Sequence, residues 1–232
     1  MGWTSEPLTV GRRDLLRAAL AGATLAVGFG AAPGTARPAR AQARLTSDQA
    51  LNALMEGNTR FVTGQMVSFQ EDLALLKQKN AEQQEPFAAV LSCADSRVPV
   101  EILFDQSIGH LFVTRVAGNV ATPEIIASLE YGAAVLGTRV ILVLGHSACG
   151  AVSAAIGGKP VPGQISSLYA PLRPAVDQAG SDLDAAIRAN ARIQAGLLRS
   201  ASPVLADLVK QGQLSVVAAH YDIASGSVTL LA

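Results

Sequence analysis

R-V-I-L-V-L-G-H-S-A-C-G, residues 139–150, decides the architecture. Residues 140–144 are uninterrupted aliphatics with no polar alternation, the pattern of a strand covered on both faces. Such a strand belongs to a largely parallel sheet with helices on either side. The residues that follow change character at once: Gly145, then His146 and Cys149, then Gly150 opening an apolar helical stretch through residue 156. Ligands of open parallel sheets collect at the carboxyl ends of strands, so His146 and Cys149 stand where a site is expected.

Working outward, F-A-A-V-L-S-C at residues 87–93 is a second continuous apolar run of strand length, ending on the other cysteine, Cys93. Residues 111–116 make a third. Residues 125–136 have helical spacing, and residues 183–208 read as a long helix broken near Ser202-Pro203. A strand over 214–220, a turn over 221–226 and a last strand over 227–231 complete the pattern. Strands alternating with helices predict right-handed crossovers and an α/β fold: a mostly parallel β-sheet flanked by helices, with an antiparallel C-terminal edge strand. Before the sheet, Ser47 or Asp48 is positioned to cap a helix running through residues 55–61, and residues 72–83 read as a second, more polar helix. Neither apolar face is broad enough to make a core alone, so the two are expected to form an N-terminal helical arm that packs on something else.

Half of the 232 residues are hydrophobic but only 4% are aromatic, so the core must be built from Ala, Val, Leu and Ile. The 18 basic and 18 acidic residues balance, which indicates neither a nucleic-acid footprint nor a strongly acidic partner. The basic residues are unevenly placed. Arg12 and Arg13 precede an Ala/Gly-rich apolar run over residues 18–32, and A-x-A spacings at 39–41 and 41–43 suit cleavage after Ala41 or Ala43. This resembles a twin-arginine export signal, which predicts a periplasmic or secreted protein. The apolar run is shorter than the roughly 20 residues that span a bilayer, so no stable membrane insertion is expected once the signal is removed. The division predicted is therefore a signal over residues 1–43 and one catalytic domain over 44–232. That domain carries 13 basic and 16 acidic residues, a net charge of about −3.

Cys93, His146 and Cys149 offer two sulfurs and one imidazole, and the chain has no third cysteine. Three such ligands suit zinc with its fourth position open, the arrangement of a catalytic rather than a structural site. From spacing alone, a disulfide in an oxidising compartment, or two inert buried thiols with a core histidine, remain equally open. Asp95 and Arg97 follow the first strand, where two charges are costly unless paired. They read either as a turn pair or as groups that manage the open position.

The segments C-A-D-S-R-V-P, residues 93–99, and H-S-A-C-G, residues 146–150, resemble the zinc motifs of the beta-class carbonic anhydrases, in the same order and at a typical separation. N-T-R-F at 58–61, the Gly109, Phe112 and Arg115 pattern, L-E-Y-G at 129–132 and Y-D-x-x-S-G at 221–226 extend the resemblance along most of the domain. It implies Cys93, His146 and Cys149 as ligands of one Zn2+ per chain and Asp95 with Arg97 as the dyad beside it. It further implies Gln84 as the pocket amide of the plant-like subtype, and Phe112 and Tyr131 as the pocket's aromatic lining. The implied activity is reversible hydration of CO2 to bicarbonate by zinc-bound hydroxide. Hydrolysis of carbonyl sulfide or carbon disulfide on the same fold is the enzymatic alternative, and a non-catalytic zinc-binding protein the other. Val90, where switchable relatives carry an aromatic, implies an open site without a bicarbonate switch. The resemblance also implies a homodimer or dimer-based assembly, with the N-terminal helices embracing a neighbour. V-A-G-N-V at 116–120 departs from the family's usual Asn-Val-Ala-Asn pattern. His110 reads as an exposed loop residue and His220 as a structural one, so neither is assigned a proton-shuttle role.

Overall fold

The computed structural model describes residues 45–68, 77–78 and 81–232. The expected export signal, and all but the central two and last three residues of the helix expected over 72–83, lie outside the described residues.

The aliphatic run at 140–144 forms β3 (Val140–His146), buried along its whole length. It is flanked by β1 (Ala88–Ser92) on one side and β4 (Ser215–Tyr221) on the other; β2 (Leu111–Arg115) and β5 (Val228–Leu231) are the edges. The order is β2-β1-β3-β4-β5, parallel except for the antiparallel β4–β5 pair. Side chains alternate between two layers, as the pleat requires. Ala88, Val90, Val140, Leu142 and Leu144 face one cluster, while Ala89, Leu91, Ile141 and Val143 face the other.

The second layer is covered by α3 (Pro123–Glu130), α6 (Leu183–Ala201) and α7 (Pro203–Lys210). Helix α3 runs on through a π turn over Tyr131–Val135, and the expected break between α6 and α7 falls where Ser202 caps α7 through Leu205 N–H. Helices α4 (Gly150–Gly157) and α5 (Tyr169–Ala179) pack beside the carboxyl ends of the strands. Gly145 allows α6 to lie close: a Cβ there would stand 3.1 Å from the Ile187 side chain and 3.3 Å from its carbonyl oxygen.

The first layer is covered by α1 (Ser47–Thr63) and the short α2 (Val100–Leu103). The N-cap of α1 is Thr46, one residue before the expected Ser47; T-S-D-Q is a capping box in which Thr46 and Gln49 satisfy each other's N–H groups. This helix packs on the core of its own chain through Ala50 and Leu54, with Leu51, Met55 and Phe61 around them. The N-T-R-F segment explains how it is held. Asn58 is buried, donates to the carbonyls of Leu103 (3.2 Å) and Gly226 (2.9 Å), and accepts Val228 N–H (2.9 Å). Arg60 Nε donates to Asp105 at 2.6 Å.

Asp105 collects further donors: the N–H groups of Val67 and Ser68 and the Ser68 hydroxyl. Burial would raise its pKa, but the hydrogen bonds from Ser68 and Arg60 and from these backbone groups outweigh it and hold the value at about 2. The folded value lies below the ordinary carboxylate value, so the unfolded chain binds more protons. The stabilisation is present above pH ~4 and is lost as pH falls towards 2. We expect Asp105→Asn to cost about 1–3 kcal/mol at neutral pH and to flatten the fall in urea midpoint between pH 5 and pH 3. An equally steep fall in the variant would assign the acid sensitivity elsewhere.

Candidate metal centre

The sheet register brings the two motifs together. Ser92 of β1 pairs with Leu144 of β3, so Cys93 comes beside Gly145, one residue short of His146. After Cys93 the chain turns sharply. Asp95 accepts Arg97 N–H at 2.9 Å on Oδ1, and Val98 N–H closes on the Asp95 carbonyl at 3.1 Å. After His146, Ala148 takes a left-handed backbone (φ 54°) that returns Cys149 towards the strand end and starts α4. Ser147 anchors this turn: its N–H donates to the Tyr221 carbonyl and its hydroxyl accepts Ile223 N–H. The Y-D-x-x-S-G segment thus buttresses the H-S-A-C loop. Asp222 braces it from within by accepting from Ala224 N–H and the Ser225 hydroxyl.

One ligand atom from each of Cys93, His146 and Cys149 lies within 4.8 Å of the others, and all three residues are buried. His146 Nδ1 lies 3.0 Å from the Ser147 carbonyl, so the hydrogen is assigned to Nδ1 and the lone pair to Nε2. Nε2 is buried with no hydrogen-bond partner, and Asp95 Oδ2 is 3.9 Å from it. A buried imidazole nitrogen with a free lone pair, facing two sulfurs, is an incomplete group that a cation completes.

The two sulfurs share a proton. Cys93 is held well below an ordinary thiol by a hydrogen bond from Cys149, against burial, with further help from Gly118 N–H, which lies 3.3 Å from its Sγ. Cys149 is pushed up by the same bond to Cys93 and by burial. A metal would take that proton's place, and Cys149, as the N-cap of α4, gains from the positive end of the helix dipole once ionised. Two thiolates and a neutral imidazole, buried and preassembled, fit zinc with one position left over.

Asp95 and Arg97 form a two-pronged pair: Nε donates to Oδ1 at 2.9 Å and Nη2 to Oδ2 at 2.8 Å. Those bonds hold the Asp95 carboxyl far below the usual carboxylate range. Arg97 Nη2 also donates to the Ala148 carbonyl at 3.2 Å, tying the first motif to the second. Arg115, known from sequence only as part of the family pattern, has a structural role. From β2 it donates to the carbonyls of Cys93 (3.0 Å) and Asp95 and stiffens the segment between them. A lone arginine at the end of an apolar strand was the signal for it.

Gln84, Phe112 and Tyr131 lie elsewhere in the chain. Phe112 pairs in register with Ala89, four residues before Cys93 and so about 13 Å along the strand. Tyr131 packs on Phe112 with ring centroids 6.3 Å apart, and Gly132 leaves room for the Phe112 ring, which a Cβ would meet at 3.0 Å. Gln84 is exposed and precedes the amino end of β1. One chain therefore gathers the Cys-His-Cys cluster and the Asp95–Arg97 pair but not these three residues. His110 is part-exposed against Phe87, and His220 is buried with Nε2 3.3 Å from Asp184.

A sequence profile described as carbonic anhydrase matches residues 88–228. Carbonic anhydrase 2 of Mycobacterium tuberculosis is 33% identical over 195 residues, spanning 78% of this chain and 91% of the relative. The carbonic anhydrase of Mycolicibacterium smegmatis is 34% identical over 189 residues, with the same shares covered. Among solved structures, a Coccomyxa beta-carbonic anhydrase superposes with a TM-score of 0.63 at 28% identity, covering 78% of this chain and 86% of that one. The beta-carbonic anhydrase CafA of Aspergillus fumigatus gives 0.64 at 25%, covering 78% and 90%. With the sheet order, the buried Cys-His-Cys cluster and these similarities in agreement, the chain belongs to the beta-class carbonic anhydrase family.

Proposed function

We propose that the chain is a zinc-dependent carbonic anhydrase interconverting CO2 and bicarbonate, with an open site in which the Asp95 carboxylate is engaged by Arg97 and not by the metal. What carries the assignment is the convergence of Cys93 Sγ, His146 Nε2 and Cys149 Sγ beside an ionised carboxylate. Zinc held by these three side chains would supply a Lewis acid that brings the ionisation of water into the neutral range.

The remaining work falls to the chain itself. Asp95, ionised and held at both oxygens, can only accept hydrogen bonds. A nucleophile next to Oδ2 therefore turns its hydrogen to the carboxylate and its lone pair towards CO2. Arg97 keeps the carboxylate aimed, and Arg115 keeps the backbone between Cys93 and Asp95 from shifting. Val120 and Val152 pack in the same buried cluster as the two cysteines and keep the surroundings of the sulfurs apolar. Val90, buried within β1, supports an open site, since it offers no aromatic or polar group to a regulatory anion.

We further infer an assembly of at least two chains. Gln84, Phe112 and Tyr131 can line the pocket only of another copy, and the 47% exposure of Tyr131 and 62% of Val135 leave an apolar surface for one. Residues 1–43 are proposed to be a twin-arginine signal that delivers the domain of residues 44–232 to the periplasm or beyond. Among the described residues no helix is long and apolar enough to cross a membrane. Recovery of the chain only from cytosol, with residues 1–43 intact, would overturn the proposed export.

One reduced preparation tests the rest. We expect about one zinc per chain, a sedimenting mass of two chains or more, and stopped-flow CO2 hydration that a chelator abolishes. Zinc without hydration, or turnover of carbonyl sulfide in its place, would refute the activity, and a fully active monomer would refute the assembly.

A further inference from the structure

Two carboxamides lie in α6 where a packed helix face ordinarily carries hydrocarbon. Asn190 and Gln194, one turn apart, are both fully buried. Burying amides is costly unless every polar atom is paired, and here each is. Asn190 Nδ2 donates to the Gly118 carbonyl at 2.8 Å, and Gln194 Nε2 donates to Asn190 Oδ1 at 3.1 Å and to the Pro171 carbonyl at 3.2 Å. Gln194 Oε1 accepts Ala121 N–H at 2.9 Å. Together they grip the loop of residues 116–121 at Gly118 and at Ala121.

That loop would not hold its shape unaided. Gly118 and Asn119 are consecutive residues with left-handed backbones, φ 79° and 44°. Leu172 closes the space beside Gly118, where a Cβ would meet its Cδ1 at 3.2 Å. The gripped residue is also the one whose N–H donates to Cys93 Sγ. A hydrogen bond to a thiolate withdraws charge from the sulfur, so its presence sets how strongly that sulfur donates to a metal.

We propose that Asn190, seated by Gln194, is a positioning residue for the metal centre: it fixes Gly118 so that its N–H stays on the Cys93 sulfur. The inference rests on the metal assignment given above. A leucine at position 190 would fill the same space, but it would leave the Gly118 carbonyl buried and unpaired and the residue free to rotate its N–H off the sulfur.

The test uses the cobalt- and zinc-loaded protein and a control variant. Leu198→Ala removes a buried side chain from the same helix, eight residues and about two turns along it from Asn190, in the layer facing the sheet. Both Asn190→Ala and Leu198→Ala are expected to lower the Tm. Only Asn190→Ala is expected to move the thiolate-to-cobalt charge-transfer band and to weaken zinc binding by roughly 10- to 100-fold. A wild-type band and zinc affinity in Asn190→Ala, or equal changes in Leu198→Ala, would overturn the proposal. Should Asn190→Ala not fold, Gln194→Met is read the same way. The wild-type protein gives a direct measurement as well: loaded with an NMR-active cadmium isotope, it should show scalar coupling between the metal and the Gly118 amide proton through Cys93 Sγ. Absence of that coupling overturns the proposal. Wild-type protein that takes up no metal would overturn the metal assignment itself, which metal-loaded wild type with an indifferent Asn190→Ala would leave standing.

Discussion

Asp95→Asn is expected to keep its zinc and lose CO2 hydration by roughly 10²- to 10⁴-fold, the range associated with a positioned proton-handling group. The substitution changes one acceptor atom into a donor. Arg97 presents Nε and Nη2 to the two oxygens of the carboxylate. An amide can face this pair only by turning its oxygen to one donor and its NH2 against the other. Oδ1 meets two donors, Arg97 N–H and Nε, so the amide oxygen settles there and the NH2 replaces Oδ2, the atom near His146 Nε2; the nucleophile then loses the acceptor that orients it. The ligand set is untouched, and zinc stoichiometry should stay at about one per chain. Hydration within tenfold of wild type would remove Asp95 from the mechanism; loss of zinc would mean that Asp95 supports the metal itself.

Gly57→Ala should be among the most destabilising single-methyl changes in the molecule. A Cβ at Gly57 would stand 1.8 Å from the Phe104 carbonyl oxygen and 2.7 Å from its carbon, both rigid backbone. Helix α1 would have to retreat by more than an ångström. The next residue, Asn58, makes three buried hydrogen bonds at the present distance, and Arg60 reaches Asp105 from the following positions. Overpacking alone costs about 1–3 kcal/mol, and lengthening these bonds adds to it. We expect a total of about 3–5 kcal/mol, seen as a fall in Tm of roughly 10 °C. A shift of a degree or two would mean that α1 is not seated on Phe104 in solution.

The sheet was readable because β3 and β1 are aliphatic runs with little else in them, and the site because both motifs stand at strand ends. Helix α5 escaped detection. Its sequence Y-A-P-L-R-P-A-V-D-Q-A holds two prolines, one of them, Pro174, in the helix interior, and only Leu172 and Ala175 are buried. The π turn after α3 was invisible for a different reason: one extra residue in a helical turn leaves the spacing over 125–136 looking continuous. Asn190 and Gln194 did carry a signal, two amides at i and i+4 on an apolar face, but their meaning depends on the loop they reach, and no periodicity encodes that. Gln84, Phe112 and Tyr131 show a further limit of a linear pattern. The resemblance marks them for a pocket, but nothing in their spacing tells that they stand away from the Cys-His-Cys cluster of their own chain.

Asn58 reaches from the first helix to the turn before the last strand, accepting Val228 N–H and donating to the Gly226 carbonyl. Helix α1 also rests on Phe104 and Asp105, well before that turn, so it is the Asn58 contacts that depend on the last strand. The Asn58–Val228 contact has a very long sequence separation and is therefore a slow one to close. A chain cut short by a handful of C-terminal residues would be damaged at its opposite end, with Asn58 buried against missing partners. The first helix and the last strand thus share one set of buried hydrogen bonds, and damage to either is felt by both.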